Sequence, residues 1–104
     1  MKKIALVTLM LAIVGGFSGS AYAEITEAWG KTVYVYADPN DVVVALDKKG
    51  ACGSGYFHIQ RTNANFKELT AVVLTAHATG KMVHLYVASC SGDRNILSHG
   101  AIFQ

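Results

Sequence analysis

The sequence predicts an α+β domain in which a strongly curved, mainly antiparallel sheet closes over a single helix. Three observations predict it. Short runs with a two-residue apolar period or a continuous β-branched character recur along the chain. One stretch between the third and fourth of these runs changes to three-and-four spacing. A pair of cysteines, Cys52 and Cys90, brackets that stretch. The element order is β-β-β-α-β-β.

The first strand is expected over Lys31 to Ala37, with Val33, Val35 and Ala37 on one face and Thr32, Tyr34 and Tyr36 on the other. Glu24 to Gly30, which carries the sole tryptophan, Trp29, is read as a lead-in. Asp38-Pro39-Asn40-Asp41 makes a turn, because Pro39 fixes φ and Asp38 can cap through its carboxylate. Val42 to Leu46 is nearly continuous and β-branched, as a central strand can be, so the two runs form a hairpin. Tyr56 to Gln60 follows, with Phe57 and Ile59 inward and Tyr56, His58 and Gln60 outward.

Phe66, Leu69, Val73 and Ala76 then define one face of a helix of about fourteen residues. Asn63 or Asn65 can cap its start, Gly80 and Lys81 mark its end, and Leu74 lies on a flank. Thr70, Val72, Val73 and Thr75 lower its intrinsic propensity, so the helix depends on packing against the sheet. Met82 to Ala88 alternates cleanly, with Val83, Leu85 and Val87 on one face. Ser89 to Asn95 is read as a loop. Ile96 to Phe103 is read as a short final strand broken at Ser98-His99-Gly100.

Residues 1–23 carry an export signal in their pattern: Lys2 and Lys3, an apolar run from Ile4 to Val14, then Ala21-Tyr22-Ala23. The run is too short to cross roughly 30 Å of hydrocarbon. Cleavage after Ala23 leaves residues 24–104 as one small domain, exported to the periplasm or secreted, with no stable membrane insertion. The formal charge of +2 belongs to Lys2 and Lys3. Without them, seven basic residues face seven acidic ones, and no clustered basic footprint points to nucleic acid.

An oxidising destination makes a Cys52–Cys90 disulfide the expected state of the two thiols. No Cys-x-x-Cys or second sulfur ligand supports a metal pair or a redox motif. The bond would close a loop of about 39 residues, for which the chain-entropy relation gives roughly 4 kcal/mol.

The stretch Phe66-Lys-Glu-Leu69 through Ala76-His-Ala-Thr-Gly-Lys-Met-Val-His-Leu-Tyr-Val-Ala-Ser-Cys90 resembles small exported bacterial proteins in which a helix ending in Thr-Gly-Lys feeds a strand and then a cysteine. The same join resembles the OB-like B subunits of AB5 toxins, in particular the subtilase-cytotoxin and pertussis-like group. The resemblance implies an OB-like fold, and in the toxin subunits that scaffold forms rings and binds cell-surface glycans.

Catalytic motifs are absent from the sequence. His58, His77, His84 and His99 share no close ligand spacing, so no metal or other cofactor is assigned. Gly53-Ser54-Gly55 and Cys90-Ser91-Gly92 read as turns around the cysteines, not as nucleophile elbows. The strongest functional feature is an outward aromatic stripe of Tyr34, Tyr36, Tyr56 and Tyr86, with His58, Arg61 and His84 able to add directional polar contacts. The competing reading inverts the strand phase and places these tyrosines under the helix. Outward, the stripe suits a noncatalytic module that recognises a glycan or protein surface, also as a homo-oligomer. The alternatives are a one-to-one inhibitor or immunity-type protein presenting Ser89 to His99 as a protruding loop, and a small hydrolase.

Overall fold

The structure, a computed structural model, describes residues 25–103, so the signal-peptide reading of residues 1–23 lies outside the described residues. Five strands and one helix follow in the expected order: β1 (Thr26–Ala37), β2 (Asp41–Leu46), β3 (Tyr56–Gln60), α1 (Phe66–Thr79), β4 (Met82–Ser91) and β5 (Arg94–Phe103). The strands close into a barrel ordered β1-β2-β3-β5-β4, with β4 returning to β1. All pairings are antiparallel except β3 with β5, where Phe57 faces Asn95 and His58 faces Ile96. This is an OB-like architecture, with the helix inserted between the third and fourth strands.

Closure depends on the length of β1. Its second half pairs with β2 and its first half, Thr26 to Lys31, pairs with β4. The segment before Lys31 is therefore not a lead-in but half of the shared strand. A register shift between Thr32 and Tyr34 lets one strand serve both neighbours. Thr32 pairs with Leu46 and Tyr34 with Ala45, so Val33 is the extra residue of a bulge. The bulge resets the phase: Val33 is 56% exposed, while Val35 packs against the core and Tyr34 and Tyr36 face outward.

The interior is filled by Val42, Val44 and Leu46 of β2, Phe57 and Ile59 of β3, Val83, Leu85 and Val87 of β4, and Leu97 of β5. Leu69, Val73 and Ala76 of α1 join this cluster, with Phe66 partly buried at its edge. The helix therefore owes its stability to burying one stripe, as its modest propensity requires. It ends at Gly80 in the left-handed region. Asn65, one of the two expected candidates, occupies the N-cap position and its carbonyl accepts from the Leu69 N–H, but the side chains of Asn63 and Asn65 make no capping hydrogen bond. Asn63 donates instead to the Leu97 carbonyl and Asn65 to the Ser98 carbonyl, tying the helix entrance to β5.

The last two strands are longer than alternation suggested, and their ladder shifts register between Tyr86 and Val87 and again between Val87 and Ser89. β4 continues through Cys90 to Ser91, and β5 begins at Arg94, so the expected loop shrinks to a tight turn at Gly92 and Asp93. Gly92 adopts φ +65, which a side chain would resist. Gly100 does not break β5. A Cβ there would lie 2.7 Å from Leu85 Cδ2, so glycine is what allows β5 to pass this close to β4. The Cys52–Cys90 disulfide forms as expected, with a Cα–Cα distance of 5.5 Å, and ties the β2–β3 connection to the end of β4. Among the described residues no helix is long and apolar enough to cross a membrane.

Candidate functional site

The outer face of β1, β2 and β3 carries the candidate site. Tyr34 and Tyr36 reach it because the Val33 bulge puts both on the outward phase, and Tyr56 stands opposite on β3. Their rings gather, Tyr34 lying 5.9 Å from Tyr36 and 6.3 Å from Tyr56 between centroids. Each remains about two-fifths exposed, at 42%, 42% and 43%. Beneath them, Val43 and Ala45 also point outward in register but are covered, so the tyrosines sit on a closed apolar floor.

The three rings form one wall of a depression of about 260 Å³, completed by Ser54, His58, Asp93 and Arg94. Asp93 ends the β4–β5 turn and Arg94 opens β5, and the disulfide and three hydrogen bonds hold this hairpin against the β2–β3 connection. Ser54 Oγ donates to the Asp93 carbonyl at 2.7 Å, and Asn95 Nδ2 donates to the carbonyls of Ser54 and Tyr56, each at 2.9 Å. The far wall is thus fixed by covalent and hydrogen-bonded links rather than by a free loop.

Polar geometry inside the depression is equally defined. The Tyr34 hydroxyl donates to the Tyr56 oxygen at 3.0 Å. Losing that bond on ionisation raises the Tyr34 pKa above the ordinary 10.0, with desolvation and the neighbouring Tyr56 and Tyr36 acting in the same direction. His58 is buried, contrary to its expected place on the open face. It points outward, but Asp41 of β2 holds its Nδ1 at 2.8 Å and the surrounding side chains cover all except a small part of the ring.

The remaining residues of the expected stripe lie elsewhere. Arg61 is outside this depression: its Nε and Nη2 donate to the Asp38 carbonyl at 3.2 and 2.9 Å, and its guanidinium lies 5.2 Å from the Phe66 ring centre. It borders a neighbouring cavity of about 420 Å³ that also meets Arg94. His84 and Tyr86 belong to a second aromatic group on the β1–β4–β5 wall. Trp29 stacks on His84 at 3.6 Å, Phe103 meets Trp29 edge-on at 4.7 Å, and Tyr86 stacks on His99 at 4.1 Å. Glu27 anchors this group through His84 Nε2 at 2.7 Å. Among the described residues no group of three or more His, Cys, Asp or Glu is placed to hold a metal ion.

Ser54, Asp93, Arg94 and Asp41 lie outside the binding surface expected from the sequence, in which Ser54 and Asp41 are read as turn residues. Only strand register brings Asp41 beside His58, and only the shortened β4–β5 turn brings Asp93 and Arg94 to the tyrosines.

An OB-like barrel with a preformed aromatic pocket defines this chain structurally. No family model matches it, and neither curated proteins nor solved structures give a match.

Proposed function

We propose that this chain is an exported, noncatalytic binding module that recognises a glycan through the pocket of Tyr34, Tyr36 and Tyr56. The carrying observation is the gathering of three half-exposed tyrosines around a depression with Arg94, Asp93 and His58 at its edges. Flat apolar ring faces with polar tips suit the two-sided surface of a sugar, apolar on its C–H face and rich in hydroxyls at its rim. The disulfide and the signal-like residues 1–23 support export, to the periplasm or beyond the cell.

The noncatalytic reading is supported by what the imidazole touches. Among the described residues His58 is hydrogen-bonded to Asp41 and to no hydroxyl or thiol, and the nearby Ser54 hydroxyl is committed to the Asp93 carbonyl. The inhibitor reading is less favoured, because residues 89–99 form a pinned hairpin and not a protruding loop. The resemblance to AB5 B subunits adds assembly into a homo-oligomer, which would present several pockets at once.

A glycan array probed with the oxidised protein tests the reading. Binding to a defined set of glycans, lost in Tyr36→Ser, supports it; a blank array contradicts it. Light scattering across a concentration series tests assembly separately, a mass of several subunits being expected and a monomer of one chain's mass counting against it.

A further inference from the structure

We infer that His58 is the specificity-determining hydrogen-bond acceptor of the tyrosine pocket, held in one tautomer by Asp41, so that bound ligands present a hydroxyl or amide N–H to its Nε2. The inference rests on the reading of this depression as a glycan site.

The chemistry follows from two atoms. A carboxylate accepts hydrogen bonds and does not donate them, so a neutral imidazole held by its Nδ1 at 2.8 Å from Asp41 Oδ2 carries its proton on Nδ1. Nε2 is then the lone-pair nitrogen. Among the described residues it has no hydrogen-bond partner, yet it is not sealed from solvent: Thr70 Oγ1 is the sole fully buried side-chain polar atom left without a partner among those residues. His58 is itself one of the residues lining the depression, so the accessible remainder of its ring opens there.

The other edges of the pocket complete a directional pattern. Arg94 can only donate, and the Asp93 carboxylate and His58 Nε2 can only accept. The Ser54 hydroxyl is already donated to a carbonyl. A ligand that stacks on the tyrosines but brings no donor would cover Nε2 without satisfying it. Sites built around such a group reject analogues lacking the partner far more strongly than apolar pockets reject a missing methylene. Asp41 is a positioning residue: it acts through the ring it holds.

Long-range nitrogen–proton NMR of the labelled, oxidised protein tests the inference without any ligand. A protonated Nδ1 and an unprotonated Nε2 at His58 are expected; the proton on Nε2 would overturn it. The same spectrum is then recorded with the glycan bound most strongly on the array. The His58 Nε2 resonance should move on saturation, and a resonance that stays in place overturns the acceptor role while leaving the tyrosine pocket intact. His58→Phe, checked for folding by circular dichroism, should lower affinity for that glycan at least tenfold. Unchanged affinity overturns the inference but not the glycan reading, whereas an array blank with wild type removes both. Should His58→Phe not fold, the wild-type resonance alone decides.

Discussion

Asn95 and Cys52 are joined by a hydrogen bond of 3.0 Å from the Cys52 backbone N–H to Asn95 Oδ1, and Asn95 has no exposed surface. The same side chain donates through Nδ2 to the carbonyls of Ser54 and Tyr56. One buried amide at the start of β5 therefore satisfies three backbone groups of the segment that carries the disulfide and the pocket wall. Gly50 is part of this arrangement, because a Cβ there would collide with the Asn95 amide.

Asn95→Ala should consequently destabilise the fold by about 2–4 kcal/mol, since three backbone groups lose their partner in a dry setting. Urea unfolding measures the loss. Asn95→Asp should be no better, because a carboxylate cannot donate to two carbonyls. Stability within about 0.5 kcal/mol of wild type in either variant would remove this residue from its structural role.

The disulfide secures the same two segments covalently, with a sequence separation of 38. Replacing both cysteines by alanine should cost roughly 3–4 kcal/mol by the chain-entropy relation. The midpoint of urea unfolding should fall accordingly, and the pocket should lose its far wall before the barrel unfolds.

Val33 and Val35 look equivalent on alternation and are opposite in the fold. Val33→Lys should change stability by no more than about 0.5 kcal/mol, as an exposed bulge position allows. Val35→Lys should cost about 2 kcal/mol or more by sending a charge toward the core. Thermal unfolding of the two variants side by side distinguishes a bulged β1 from an unbulged one.

Tyr34 should ionise above the ordinary tyrosine value of 10.0, because it donates to Tyr56. A folded-state pKa raised above the unfolded value contributes stability that is present below pH 10 and lost as pH rises through the folded value. Ultraviolet titration should resolve one late-titrating tyrosine. Tyr56→Phe, which removes the accepting oxygen, should bring it back toward 10.0.

Much of this fold was legible because local patterning and tertiary packing agree. The two-residue period of Val83, Leu85 and Val87, the three-and-four spacing of Leu69, Val73 and Ala76, and the placement of Cys52 and Cys90 all recur in the structure. The first half of β1 was hidden because Glu27, Ala28, Trp29 and Gly30 have weak alternation and acquire strand form by pairing with β4. The bulge at Val33 was hidden because one inserted residue leaves an unbroken apolar alternation in the chain itself. For the site, the outward tyrosines of β1 and β3 were readable from phase. Their separation from Tyr86 and His84 was not, since it depends on which strands are neighbours around the barrel. The Asp41–His58 pair and the arrival of Arg94 likewise depend on register across strands distant in sequence.

The central claim is that the tyrosine pocket, and not the Trp29 cluster, is where a glycan binds. Calorimetric titration with the strongest soluble oligosaccharide from the array tests it most directly, using wild type, Tyr34→Ser with Tyr36→Ser, and Trp29→Ser. Per-site affinity should fall at least tenfold in the double tyrosine variant, equivalent to about 1.4 kcal/mol, and stay unchanged in Trp29→Ser. Full affinity in the tyrosine variant, or its loss in Trp29→Ser alone, would contradict the account.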